Sequence, residues 1–193
     1  MKFESFTKNY FEKLQNALNN VPLQLIEKLK NSMLRAWTQK NQLFIFGNGG
    51  SGGNAIHLAN DYLYGVGKGN RPGLKVHALT ANPSVLTCLA NDVGYENIFT
   101  EQLKAFSNKD DIALAFSGSG NSPNVVNALK WCEENGVESF AILGYSGGEA
   151  AKTTSNAIHI PMNDMQISED LQLIIGHIIM QWLAEHENEK IFK

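Results

Sequence analysis

The chain has 193 residues, 43% hydrophobic and 18% charged, with a formal net charge of −3. That length and balance suit one globular domain with a sizeable core, and they exclude a disordered chain. A net negative chain also lacks the basic excess that nucleic acid or an anionic membrane would call for. The opening MKFESFTKNY has neither the apolar stretch nor the cleavage site of a signal peptide, and no apolar run approaches the roughly 20 residues of a membrane span. Cys88 and Cys132 lie far apart and form no CxxC pair. The expectation is a soluble cytoplasmic protein with two buried free thiols and no membrane or nucleic-acid partner.

In chain order, the first forty residues predict two helices. Phe3, Phe6, Tyr10, Phe11, Leu14 and Leu18 recur at three- and four-residue spacings, and Asn19, Asn20 and Pro22 interrupt them. Leu25, Ile26, Leu29, Met33, Leu34 and Trp37 continue the pattern in a second helix. Both are expected to cover a sheet face or to pack against a second subunit. Five short apolar runs then predict strands: 43–46, 76–79, 112–116, 140–143 and 157–160. Runs without alternation suit a parallel sheet covered on both faces. Pro123 to Asn135 predicts a helix, with Ser122 as N-cap and Gly136 just past its end. A last helix is expected from about Glu169 to about Glu185, apolar around much of its girth. Alternating strands and helices predict a doubly wound α/β sheet, with residues 1–193 as one domain and 1–40 as helices added for packing or oligomerisation.

Several stretches could carry chemistry. Gly47-Asn48-Gly49-Gly50-Ser51-Gly52-Gly53 follows the first strand, ahead of a helix expected near Asn54. It is either a backbone cradle at a helix N-terminus or a tight turn. No Gly-Lys-Ser/Thr follows, and GxGxxG with its later acidic residue is not met, so neither nucleotide fingerprint applies. Ser117-Gly118-Ser119-Gly120-Asn121-Ser122 puts three hydroxyls and several amides between a strand and a helix, which suits a phosphate monoester held without lysine or arginine. His57 and Asp61, four apart on a helix, could be a proton-transfer pair, half of a metal site or a surface interaction. His177 in the apolar last helix is either a core residue or a functional one. Glu169 and Asp170 are expected to open that helix, and Asn91 to Tyr95 to form a polar turn. His77 and His159 are expected to be structural and His186 exposed.

Taken together and in order, these features resemble the sugar isomerase (SIS) domain family, and within it the bacterial phosphoheptose isomerases. The residues that carry the resemblance are GNGGS at 47–51 with His57 beyond it, NRPG at 70–73, NDVGYENIF at 91–99, FSGSGNSPNVVNAL at 116–129 and the helix with His177. The resemblance implies a three-layer α/β/α sandwich with a central parallel sheet, assembled as a homotetramer with active sites between subunits. It implies conversion of sedoheptulose 7-phosphate to D-glycero-D-manno-heptose 7-phosphate, an early step toward lipopolysaccharide or capsule heptose. It also implies that Ser117, Gly118, Ser119 and Ser122 hold the phosphate, and that Asn48, Gly49, Gly50, Asn91 and Asp92 lie at the sugar. His57, Asp61, Glu169 and His177 fall on the family's zinc and catalytic positions, with Asp61 as base and His177 as its partner. Two residues depart from the family pattern: Asp61 stands for a glutamate and Glu169 for a glutamine. Glu169 and His177 lie about 12 Å apart on a straight helix, so one ion reaches both only if Glu169 precedes the helix or the two come from different subunits. Other readings are an isomerase of a different sugar phosphate, a sugar-phosphate sensor, or a non-catalytic adaptor of the replication-initiator-associating type.

Overall fold

The computed structural model describes residues 2–68 and 71–185. The expectation for His186 and the first residue of the NRPG motif, Asn70, lie outside them. Helices α1 (Phe3–Asn19) and α2 (Leu23–Gln39) come first, then strand β1 (Gln42–Gly47) and helix α3 (Gly49–Asn60). A π-helical turn (Asp61–Gly65) follows α3 directly, leading to β2 (Lys75–Ala78) and α4 (Pro83–Asp92). A 3-10 turn (Tyr95–Asn97), α5 (Ile98–Phe106), β3 (Ile112–Ser117), α6 (Pro123–Asn135) and β4 (Glu138–Leu143) come next. The chain closes with α7 (Ala150–Thr153), β5 (Ala157–His159) and α8 (Met165–Glu185).

All strand pairs are parallel, in the order β2-β1-β3-β4-β5. The chain builds outward from β1 to β2, then returns to place β3 on the other side of β1. That reversal leaves a crevice beyond the carboxyl ends of β1 and β3, where open α/β sheets bind ligands. Alternate strand residues feed two cores. Leu43, Ile45, Ile112, Leu114, Phe116, Phe140 and Ile142 pack under α2, α3 and α8. Phe44, Phe46, Ala113, Ala115, Ala141 and Leu143 pack under α5, α6 and α7. The result is the three-layer arrangement implied by the resemblance, with α1 packed onto the outside of the first helical layer.

Four local expectations need correction. β2 is an edge strand with alternating exposure, not a buried run. His77 on it lies between the rings of Phe44 and Phe106, at 5.4 and 6.1 Å. Cys88 is exposed and only Cys132 is buried, because α4 lies on the sheet's rim with no buried residue of its own. The Cys88 thiol is raised by its hydrogen bond to Asp92, and burial raises that of Cys132 to about 12. α8 buries one face, through Ile167, Leu171, Ile175, Ile179 and Leu183, while Ile178 is 54% exposed. Finally, α8 starts at Met165, so Glu169 lies a full turn inside it rather than at its opening. Among the described residues no helix is long and apolar enough to cross a membrane.

Candidate active site

The crevice between β1 and β3 holds a cavity of about 250 Å³ lined by Asn48, Gly49, Gly50, Ser51, Phe116, Ser117, Gly118, Ser119, Ser122, Met165 and Glu169. Helix α3 begins at Gly49, five residues earlier than expected, so the glycine run is its first turn and not a loop before it. The glycines leave that turn's backbone amides uncovered, and the positive end of the helix faces the cavity. A Cβ on Gly50 would clash with both carboxylate oxygens of Glu169, so a side chain there would displace that carboxylate. Among the described residues Glu169 is the one acidic or basic residue lining the cavity, and it lies at the α3 N-terminus, where the helix dipole favours negative charge.

The 117–122 turn forms the opposite wall. Ser117 Oγ accepts from the Gly120 amide at 3.0 Å, and Ser119 Oγ accepts from the Asn121 amide at 3.2 Å. Ser122 occupies the N-cap position of α6, yet its hydroxyl makes no capping hydrogen bond, contrary to expectation. That hydroxyl remains available to a ligand, beside the helix dipole. Among the described residues no lysine or arginine lines the cavity.

A second group forms where α3 meets α8. The two helices run side by side in the same direction, with Gly50 against Glu169 at one end and Leu58 against Gly176 further along. A Cβ on Gly176 would stand 2.5 Å from Leu58 Cδ1, so the glycine sets how closely the helices approach. A buried polar bridge fixes their register. Gln172 Nε2 donates to Ser51 Oγ at 3.0 Å, and Asn54 Nδ2 donates to Gln172 Oε1 at 3.0 Å. His57 and His177 consequently meet, with their Nε2 atoms 2.9 Å apart and their rings edge to face. The π-turn carries Asp61 into the same place, its Oδ2 3.4 Å from His57 Nε2 and 3.3 Å from His177 Nε2. Such turns often mark functional positions within helices.

The triangle fits a metal ion. Donors about 2.0–2.1 Å from a tetrahedral ion lie about 3.3–3.4 Å from one another, which matches two of its three edges. Two imidazoles and one carboxylate with an open side are the donor set of catalytic zinc. His57, Asp61 and His177 each offer one donor atom within 4.8 Å of the others.

The sequence-predicted residues thus fall into three places. Asn48, Gly49, Gly50, Ser117, Gly118, Ser119, Ser122 and Glu169 share the crevice cavity. His57, Asp61 and His177 share the triangle. Glu169 stands about 12 Å up α8 from His177, so it cannot join the triangle of its own chain. Its place inside α8 removes the possibility that it precedes the helix. Asn91 and Asp92 end α4, are exposed, and line neither group. Missed at the level of sequence were Gln172, Asn54, Tyr95 and Asn124. A polar residue at a helical position otherwise occupied by core residues, as Gln172 is between Leu171 and Ile175, is the signal that could have found Gln172.

Residues 9–144 match the SIS domain family. The chain is 34% identical over 163 residues to the phosphoheptose isomerase of Aneurinibacillus thermoaerophilus, spanning 84% of this chain and 82% of that protein. It is 33% identical over 179 residues to the phosphoheptose isomerase of Helicobacter pylori, spanning 93% and 88%. The solved structure of a phosphoheptose isomerase from Francisella tularensis shares its fold with a TM-score of 0.87 at 24% identity, covering 96% of this chain and all of that one. One from Neisseria gonorrhoeae does so with a TM-score of 0.84 at 24% identity, covering 94% and 98%. The chain belongs to the SIS domain family.

Proposed function

We propose that the chain is a phosphoheptose isomerase, interconverting sedoheptulose 7-phosphate and D-glycero-D-manno-heptose 7-phosphate through an enediol. The observation that carries the reading is the convergence of His57, Asp61 and His177 in one triangle. A protein that only bound a sugar phosphate would need the cradle at 117–122 but not this trio. The phosphoheptose isomerase name shared by relatives about one-third identical supports the choice of sugar.

Ser117, Ser119 and Ser122, the amides of their turn and the N-terminus of α6 hold the phosphate. Binding there, remote from the reacting carbons, positions the substrate for chemistry. Asn48, Gly49 and Gly50 line the sugar, and Glu169 accepts from its hydroxyls. Asn91 and Asp92 keep a role at the sugar on the family motif alone. Asp61 takes a proton from C1 of the ketose, and after exchange with solvent at the enediol stage a proton is returned to C2. Its Oδ2 is the oxygen beside the two imidazoles, which leaves Oδ1, an acceptor from Asn60 Nδ2 at 3.3 Å, to serve as base. His177 moves the hydroxyl proton from O1 to O2, so atoms and charge balance. His57, Asp61 and His177 would hold a zinc ion, which when bound polarises the hydroxy-carbonyl oxygens.

The cradle lines the crevice cavity, whereas His57, Asp61 and His177 lie where α3 meets α8 and are not among the residues lining that cavity. The reading therefore includes an active site completed between copies, in a cytoplasmic homotetramer, where the Glu169 of a neighbouring copy can approach the triangle. Apolar side chains on outer faces support such packing: Phe3 is 82% exposed, Phe11 63%, Leu23 71% and Ile178 54%. The test is incubation of the purified protein with sedoheptulose 7-phosphate, with and without added zinc. Formation of the aldose is expected, with zinc dependence, and Gln at position 177 should abolish it while the tetramer persists. Absence of product at every zinc concentration would overturn the reading.

A further inference from the structure

Asn48 occupies the N-cap position of α3, where an asparagine side chain ordinarily accepts from the helix's own first amides. Here it makes no such bond. Its amide is turned instead to two side chains from other elements. Asn124, on the first turn of α6, is 1% exposed and pairs with it reciprocally. Asn124 Nδ2 donates to Asn48 Oδ1 at 2.9 Å, and Asn48 Nδ2 donates to Asn124 Oδ1 at 2.8 Å. The Tyr95 hydroxyl, from the 3-10 turn after α4, donates to the same Asn48 Oδ1 at 3.0 Å.

An asparagine amide has two acceptor sites on its oxygen and two N–H donors. Both acceptor sites of Asn48 are filled and one N–H is spent. One N–H remains, on a residue lining the cavity beside Ser117, Ser119 and Ser122. We propose that Asn124 and Tyr95 are positioning residues that lock the Asn48 amide so that it meets a bound sugar phosphate solely as a hydrogen-bond donor, to an oxygen of the ligand. The ligand group it takes is therefore a phosphate, carbonyl or hydroxyl oxygen acting as acceptor. The same pair ties the first turn of α6 to the glycine turn of α3, so the two walls of the crevice are held in register by it. The inference rests on the sugar-phosphate reading of the cavity.

A double-mutant cycle tests it, with Asn48→Ala, Asn124→Ala and their combination. The dissociation constant for sedoheptulose 7-phosphate is measured by calorimetry, kcat and KM by turnover, and Tm by thermal unfolding. Loss of one hydrogen bond to the ligand is worth about 10-fold in affinity, so Asn124→Ala should weaken binding by about that factor in the wild-type background. Where Asn48 is already alanine, the same substitution should change affinity less than about 2-fold, since its effect passes through Asn48. An equal loss in both backgrounds would show a merely structural role and overturn the proposal. Tyr95→Phe removes one hydroxyl from an exposed residue and carries the same cycle should Asn124→Ala not fold. Wild-type protein that binds the sugar phosphate without turning it over sinks the isomerase reading and leaves the binding cycle readable. Wild-type protein that binds none overturns both.

Discussion

Asp61, proposed as the base, is shorter by one methylene than the glutamate that the resemblance implies there, and the geometry around it brings the shorter acid to both imidazoles. Its Oδ2 already stands 3.3 and 3.4 Å from the two imidazoles, delivered by the π-turn that follows α3. Glutamate at this position would push the carboxylate about 1.5 Å into the triangle. Misplacement on that scale costs about 100-fold in rate, so D61E should lower kcat by up to that factor with KM little changed, as steady-state kinetics would read. A variant with wild-type kcat would mean that the triangle does not set the position of the base. Glu169 is a different case. It stands for the family's glutamine, and it fills the space over Gly50 at the start of α3, where the helix dipole favours a negative charge.

At the scale of elements, the decisive pairing is α3 with α8. Gly176 sets their spacing against Leu58, and the Gln172–Ser51–Asn54 bridge sets their register. G176A forces a methyl into Leu58, an overpacking that costs roughly 1–3 kcal/mol. Thermal unfolding should show the lower stability, and zinc titration should show weaker binding, because His57 and His177 move apart. Unchanged zinc affinity in that variant would separate the triangle from the helix contact. All five strands, and the helix at 123–135 with its Gly136 end (φ 72°), were legible in the sequence because apolar runs and capping chemistry are local signals. The start of α3 was not. Four glycines among its first five residues read as loop, and only packing against α8 and the sheet keeps that turn helical. The start of α8 was missed because Met165 to Ser168 lack acidic residues, and the pattern resumes visibly only at Glu169. The Asn48–Asn124–Tyr95 cluster was illegible for another reason: its members lie 76 and 47 residues from one another in sequence.

At the scale of the whole molecule, the 117–122 turn lines the crevice cavity, and the triangle lies outside that lining, where α3 meets α8. A site completed between copies makes a specific demand. Mixing an S119A/S122A protein, which lacks two of the hydroxyls proposed to hold the phosphate, with an H177Q protein should restore activity that neither has alone, because some composite sites then contain both intact halves. Restored turnover in mixed oligomers, absent from either parent, is the expected result. No restoration despite verified exchange of subunits would place the entire site within one protomer.

The central claim is that the triangle moves a proton between adjacent carbons of a seven-carbon sugar phosphate. Its most direct test is NMR of sedoheptulose 7-phosphate incubated with the protein in D2O. The account predicts the aldose 7-phosphate carrying solvent deuterium at C2, formed by wild type and not by H177Q. Sugar that stays unconverted and undeuterated, or equal conversion by H177Q, would contradict it.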